Sequence, residues 1–321
     1  MNEPGSDVTR PLRHLVIVLG DQLDATSAAF DGFDPRLDRV WMAEVPEEAT
    51  HVWSHKARIA LFLAAMRHFR DALGERGVPV EYRALGTHPH AGLTDALAAD
   101  LAALRPQRLV LVEPGDFRVR EALSAAARVA GVPLQVRPDG HFLCSTDDFA
   151  AWAGGRRALR LEHFYRWLRA REGVLMEGSE PRGGRWNFDA ENRAGFGKAG
   201  PGIVPAPAAF PPDATTRAVL AEVEAAYPDH PGALTRFDWP VTPADAERAL
   251  VDFVAHRLPL FGKYQDAMWT GAPWLYHSRL SAALNLKLIS PCRVIEAAVD
   301  ALDDGQAPLA AVEGFVRQVL G

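Results

Sequence analysis

The chain has 321 residues, is 48% hydrophobic and 24% charged, and carries a formal net charge of −6. That composition fits a globular protein of about two domains at roughly 150 residues each, and it excludes a chain-wide basic signature, so contact with nucleic acid would need a local cluster of Lys and Arg. Its two cysteines, Cys144 and Cys292, point to a reducing compartment and exclude a four-thiolate metal or iron–sulfur site built from this chain alone.

Met1–Arg13 is polar and has no apolar stretch of the kind that marks a secretion signal, so residues 1–13 read as a disordered leader and the expected location is cytoplasmic. Residues 14–139 alternate strand and helix patterns. Strands are expected at His14–Leu19, Arg39–Val45, Val78–Ala84, Arg108–Val112 and Leu134–Arg137. Helices are expected at His55–Leu73, Leu93–Leu104 and Phe117–Ala130, the last closed by Gly131. Such alternation makes an α/β domain with a doubly wound, parallel five-stranded sheet. Across 140–213 the pattern breaks into a linker with one helix, Leu161–Arg171, a Gly/Arg/Trp/Asn loop at Gly178–Arg193, and a Pro/Gly-rich stretch after it. From 214 to 321 the chain reads as all-helical, with helices at Thr215–Tyr227, Thr242–Leu258, Ser278–Leu288, Ser290–Leu302 and Pro308–Leu320. Thr242 before Pro243 is a natural N-terminal cap. No apolar run approaches the ~18 residues of a membrane span.

Gly20-Asp21-Gln22-Leu23 follows the first strand, Glu44, Glu47 and Glu48 follow the second, and Glu113-Pro114-Gly115-Asp116 follows the fourth. In a doubly wound sheet these are carboxyl ends, where ligands bind near a topological switch point. Several acids on one rim disfavour a phosphate and favour a neutral, hydrogen-bonding heterocycle; a capped turn and, for Glu47, a solvated acidic loop are the plainer readings. No G-x-G-x-x-G is present, so the dinucleotide fingerprint is missing. Arg182–Arg193 is dense in planar hydrogen-bonding side chains, common at nucleic-acid and interface sites, yet composition alone favours a structural loop. His277-Ser278-Arg279-Leu280-Ser281 opens an expected helix, where hydroxyls and amides can cradle a phosphate or Ser278 can simply cap. His51 and His55 lack the glutamate of the H-E-x-x-H zinc motif and read as surface or capping residues.

In order along the chain stand Leu19-Gly20-Asp21-Gln22-Leu23, His55-Lys56 leading into Ala65-Met66-Arg67-His68-Phe69, Glu113-Pro114-Gly115, Gly183-Gly184-Arg185-Trp186-Asn187-Phe188-Asp189-Ala190-Glu191-Asn192-Arg193, and Gln265-Asp266-Ala267-Met268. With these motifs the chain resembles the cryptochrome/photolyase family, in particular the bacterial iron–sulfur (6-4) photolyases and their photoreceptor relatives, from about residue 14 to its last residue. The resemblance implies a Rossmann-like antenna-binding domain at 14–139, a linker at 140–213, and the first part of a helical FAD-binding domain at 214–321. It implies light-driven electron transfer from reduced FAD to a (6-4) photoproduct in damaged DNA, with a flipped-out base, in a monomer with no membrane partner. Asp21 and Glu48 match antenna-contacting positions, with Glu113 and Pro114 on the same rim, and 6,7-dimethyl-8-ribityllumazine is the antenna implied; Ala43 stands where a relative has a cysteine. Ser278, Leu280 and Ser281 match the start of the flavin phosphate site, with Asn285 one turn on, and Gln318 falls near a substrate-facing position.

Val312, Phe315, Val316 and Val319 recur at helical spacing up to the last residue. In the family a Trp-Arg-Glu-Tyr segment follows the position of Gly321, and the paired active-site histidines, flavin-ring contacts, electron-transfer aromatics and cluster cysteines lie beyond it. The expectation is therefore a C-terminally truncated chain that holds no metal, keeps FAD weakly or not at all, and does not itself repair DNA. The alternatives are a photosensory signalling protein and a non-catalytic remnant that binds a small heterocycle or a protein partner.

Overall fold

A computed structural model describes residues 12–320, and within it the chain groups into two compact units. One comprises 12–139 with 212–237, the other 140–211 with 238–320. The leader expected at the N-terminus falls outside the described residues for positions 1–11, as does the terminal Gly321.

In the first unit, β1 (His14–Ile17), β2 (Asp38–Ala43), β3 (Val80–Arg83), β4 (Arg108–Val112) and β5 (Leu134–Arg137) form a parallel sheet in the order β3-β2-β1-β4-β5. Register is set around β1, whose His14 pairs with Asp38 on one side and Arg108 on the other. Short β-branched and leucine runs suit this place, since central parallel strands bury both faces. Alternate residues Leu15, Ile17, Trp41, Leu109 and Leu111 pack against Leu97 and Leu101 of α3 (Leu93–Leu104) and Leu123 of α4 (Phe117–Ala130). The opposite set, Val16, Val40, Met42 and Val110, is equally buried. Asp116 caps α4, accepting from Arg118 N at 2.8 Å, and Gly131 ends it at φ 69°.

Sequence patterns miss the short α1 (Pro46–Thr50) and place α2 (Lys56–Glu75) within two residues at each end. His55 is the N-cap of α2, its Nδ1 accepting from Ala57 N at 3.0 Å. α2 buries Ile59, Leu61, Leu63, Met66 and Phe69, a stripe too wide for one neighbour. The second neighbour is α7 (Ala214–Ala226), which follows α5 (Thr146–Ala153) and α6 (Leu161–Glu172) in the chain. The helix expected to open the helical domain thus packs in the first unit. Val219 and Val223 are buried, Glu224 pairs with Lys56 Nζ at 2.7 Å, Glu222 pairs with Arg67 at 2.5 Å, and Thr216 Oγ1 lies 3.1 Å from His68 Nε2.

The second unit opens with α5, which the sequence reading passes over although Ser145 and Asp148 form a capping box. α6 follows, then a two-stranded hairpin of β6 (Met176–Glu177) and β7 (Glu180–Pro181). Five helices complete it: α8 (Pro243–His256), α9 (Leu258–Tyr264), α10 (Ser281–Asn285), α11 (Pro291–Asp303) and α12 (Leu309–Leu320). Thr242 caps α8 as expected, accepting from Asp245 N at 3.2 Å, and Ser290 caps α11 through Arg293 N at 3.1 Å. α12 packs on α9 and α11, and its Phe315 meets Phe253 of α8 and Phe261 of α9 at ring separations of 4.8 and 5.4 Å. In the terminal apolar stripe Val312, Phe315 and Val316 are buried. Among the described residues no helix is long and apolar enough to cross a membrane.

Candidate functional site

All five strands run parallel, so their carboxyl ends share one rim, with β2, β1 and β4 side by side at its centre. The chain leaves β1 toward β2 and β3 and returns to β4 on the other side, which makes the gap between β1 and β4 the topological switch point. Asp21 follows β1, Glu48 lies on α1 after β2, and Glu113 and Pro114 follow β4. The four sequence-marked residues therefore come to one rim.

Two other marked side chains are spent on the fold. Gln22 is 5% exposed, and its Nε2 donates to the carbonyls of Val112 at 3.1 Å and Glu113 at 3.3 Å, tying the two strand ends together. Glu44 is 1% exposed and accepts from Arg67 Nε and Nη2, both at 2.8 Å, from Tyr82 Oη at 2.5 Å and from Leu85 N at 2.7 Å. Burial and the Glu44 charge push the Tyr82 phenol far above its ordinary range.

The acids of the rim have basic partners. Arg118 reaches Glu48 at 2.9 Å, Asp116 at 3.4 Å and Glu47 at 4.0 Å, and Arg120 reaches Glu113 at 2.8 Å. The Glu48 hydrogen bond raises the Arg118 pKa further. Both arginines sit on the first turn of α4, so the sheet topology that gathers the acids delivers their counter-charges too. Trp53 and Phe117, on segments after β2 and β4, are 69% and 74% exposed, and the Trp53 ring meets His230 edge-on at 6.3 Å. None of Arg118, Arg120, Trp53 and Phe117 is marked as a site residue by sequence pattern. Their signal is proximity to strand ends, which the acids had absorbed.

In the second unit the helix expected from Ser278 is the five-residue α10, beginning at Ser281. Arg279 at φ 60° breaks it in front and Lys287 at φ 60° stops it behind. Ser278 does not cap it; its Oγ accepts from Leu280 N at 3.3 Å, and the Leu280 side chain is buried. Ser281 and Asn285 are exposed one turn apart on α10. The hydroxyls of Ser278 and Ser281 and the amide of Asn285 form a neutral donor set, of the kind a phosphate oxygen accepts from. Gln318 is exposed on α12, where its Nε2 donates to Gln265 Oε1 at 3.2 Å.

The Gly183–Arg193 loop is built into the second unit. Trp186 O accepts from the buried Arg169 at 3.2 Å, Phe188 N donates to Glu313 Oε2 at 3.2 Å, Asp189 pairs with Arg317, and Asn192 Nδ2 donates to Ala310 O at 2.8 Å. The Arg317 hydrogen bond holds the Asp189 carboxyl below its ordinary range. Burial pushes the Glu313 carboxyl up, against the pull of Arg317, Tyr165, Phe188 N and Arg169. No group of three or more His, Cys, Asp or Glu able to hold a metal occurs among the described residues.

Comparison with known proteins adds to this geometry. Residues 16–239 match the family described as deoxyribodipyrimidine photo-lyase-related protein. The chain is 42% identical over 312 residues to a protein of Agrobacterium fabrum named (6-4) photolyase, covering 97% of this chain and 61% of that one. It also resembles the crystal structure of a bacterial class III photolyase from Agrobacterium tumefaciens, with a TM-score of 0.57 at 15% identity, over 99% of this chain and 59% of that one. At that identity the structural likeness speaks to the fold. The chain spans about three fifths of the length of these relatives.

Proposed function

The chain belongs to the deoxyribodipyrimidine photo-lyase-related protein family, and from that membership we propose that the protein is a photolyase-family flavoprotein, repairing pyrimidine (6-4) photoproducts in DNA by light-driven electron transfer from reduced FAD. The observation that carries this reading is the 42% identity to the Agrobacterium (6-4) photolyase, sustained over 312 residues.

In this reading, Asp21, Glu48, Glu113 and Pro114 receive an antenna chromophore, a lumazine, at the rim of the sheet. A neutral heterocycle suits a rim whose carboxylates are already matched by Arg118 and Arg120, and Trp53 and Phe117 offer it stacking faces. Ser278, Ser281 and Asn285 hold the FAD phosphates with hydroxyl and amide donors, and Leu280 takes part by anchoring the segment through its buried side chain. When bound, FAD supplies the one-electron chemistry; these residues bind and orient it. Gln318, already bonded to Gln265, faces the flipped base.

The test is an absorption spectrum of the purified protein, with FAD added if needed, followed by illumination with a (6-4) oligonucleotide. A flavin band at roughly 450 nm and light-dependent loss of the lesion would support this reading and set aside the expectation of a chain that keeps FAD weakly and does not itself repair DNA. Flavin photoreduction without lesion loss would replace repair by photosensing, and a protein that takes up no flavin would overturn the reading.

A further inference from the structure

Arg279 stands in the middle of the proposed flavin-phosphate segment and is held as no other described arginine is. Its guanidinium carbon lies 4.3 Å from the ring centre of Trp239 and 4.0 Å from that of Trp274. Nη2 donates to Asp238 Oδ1 at 3.1 Å. Nε is buried without a protein acceptor, as is Nε of Arg257, and both residues line one small cavity of about 10 Å³ together with Asp252, Ser278 and Phe210. Arg257 is 1% exposed and fixed by Asp252 at 2.6 Å and by Ala206 O at 3.3 Å.

The backbone of Arg279 is left-handed, at φ 60°. An L-residue with a long side chain rarely adopts that conformation unless its surroundings impose it. Here the surroundings are two indole faces, a carboxylate and a buried edge. They fix the side chain on one side of the turn, while Leu280 N is bonded to Ser278 Oγ on the other. A guanidinium committed in this way has no freedom to meet a phosphate.

We propose that Arg279 is a positioning residue: its two-tryptophan clamp locks the left-handed turn that fixes where Ser278 and Ser281 stand. The clamp itself follows from the geometry; its consequence for flavin rests on the function proposed above.

Two substitutions separate side chain from backbone. Arg279→Gly keeps the left-handed backbone easy and removes the clamp, whereas Arg279→Lys keeps a cation between the rings. Amide hydrogen exchange of the full chain reads the clamp without flavin. Arg279→Gly is expected to speed exchange over Leu280–Asn285 by about tenfold, leaving α11 and α12 protected, with partial recovery in Arg279→Lys. FAD titration should show a similar loss of affinity, about tenfold, with the same partial recovery. Unchanged exchange in Arg279→Gly would overturn the clamp, whatever the flavin result. Faster exchange in a protein whose parent takes up no FAD would uphold the clamp and defeat the flavin reading instead.

Discussion

Glu313 offers the sharpest test of how the second unit is held. It is 0% exposed on α12, accepts from Tyr165 Oη at 3.0 Å and Phe188 N at 3.2 Å, and lies 3.7 Å from Arg317 Nε. Burial raises its pKa more than its partners lower it. A net rise means that the ionised carboxylate is less stable in the fold than in the unfolded chain, so a neutral isostere relieves more than it forfeits at neutral pH. In Glu313→Gln the amide oxygen can take Phe188 N–H and the amide nitrogen can donate to the Tyr165 oxygen, which also accepts from Arg169 at 3.3 Å, so only the hydroxyl hydrogen loses its acceptor. Its stability should stay within about 1 kcal/mol of the parent. Glu313→Ala strands both groups and removes the carboxylate near Arg169, itself 0% exposed, so it should cost about 3–5 kcal/mol. The pH dependence has a definite sign. The stability from protonating Glu313 is fully present below its unfolded pKa and is lost as pH rises through the higher folded one. Glu313→Gln does not titrate, so relative to the parent it should improve from acid toward neutral pH. Urea unfolding of parent and variants, from about pH 4 to about pH 7, measures both effects. A Gln variant as unstable as the Ala variant, or an Ala cost below about 1 kcal/mol, would refute the reasoning.

Two paired comparisons test other joints. At Gly183, φ is 73° and an added Cβ would stand 2.6 Å from Leu309 Cδ2 and 3.2 Å from Phe188 Cζ, whereas Gly184, at φ 71°, has open space. Gly184→Ala should cost about 1–2 kcal/mol from backbone conformation alone, and Gly183→Ala about 1–3 kcal/mol more from the clash, read as the difference in urea midpoints. In the first unit, Arg67→Met leaves Glu44 buried with only Tyr82 and Leu85 N, an expected loss of about 3–5 kcal/mol. Glu222→Ala removes the half-exposed partner of the same arginine and should cost about 1 kcal/mol or less by the same measurement.

The α/β unit is legible wherever one local rule acts alone. β4, β5, α3 and α4 fall at the ends read from sequence: β4 is an unbroken apolar run, as a buried parallel strand is, the half-exposed edge strand β5 is the alternating Leu-Gln-Val-Arg, and Asp116 and Gly131 bracket α4. α5 escapes since it buries only Trp152, which leaves periodicity nothing to detect despite its capping box. α7 is seen as a helix, but not its partner: the groups that dock it, Lys56, Arg67 and His68, lie some 150 residues earlier in the chain and act largely through charge. At the rim, strand ends reveal which residues gather. They cannot reveal that Gln22 and Glu44 turn inward, or that Arg118 and Arg120 balance the acids that remain.

The Gly183–Arg193 run, which carries most of the resemblance to photolyases, has a role that composition leaves open between ligand and structure. Its polar groups meet Arg169 on α6 and Glu313, Arg317 and Ala310 on α12, and neighbouring Arg182 reaches Asp303 on α11 at 2.5 Å. Phe188 and Asn192 are the buried points of the loop, and where its irregular backbone and side chains meet the helices their polar groups must be paired. Density of planar polar side chains therefore marks the joint of the helical unit. The positions free to meet a ligand, Ser281, Asn285, Trp53 and Phe117, are single exposed residues on short elements. Substitutions in the loop should act on folding and those at the exposed positions on binding, so a loop variant that lost flavin at unchanged stability would break this division.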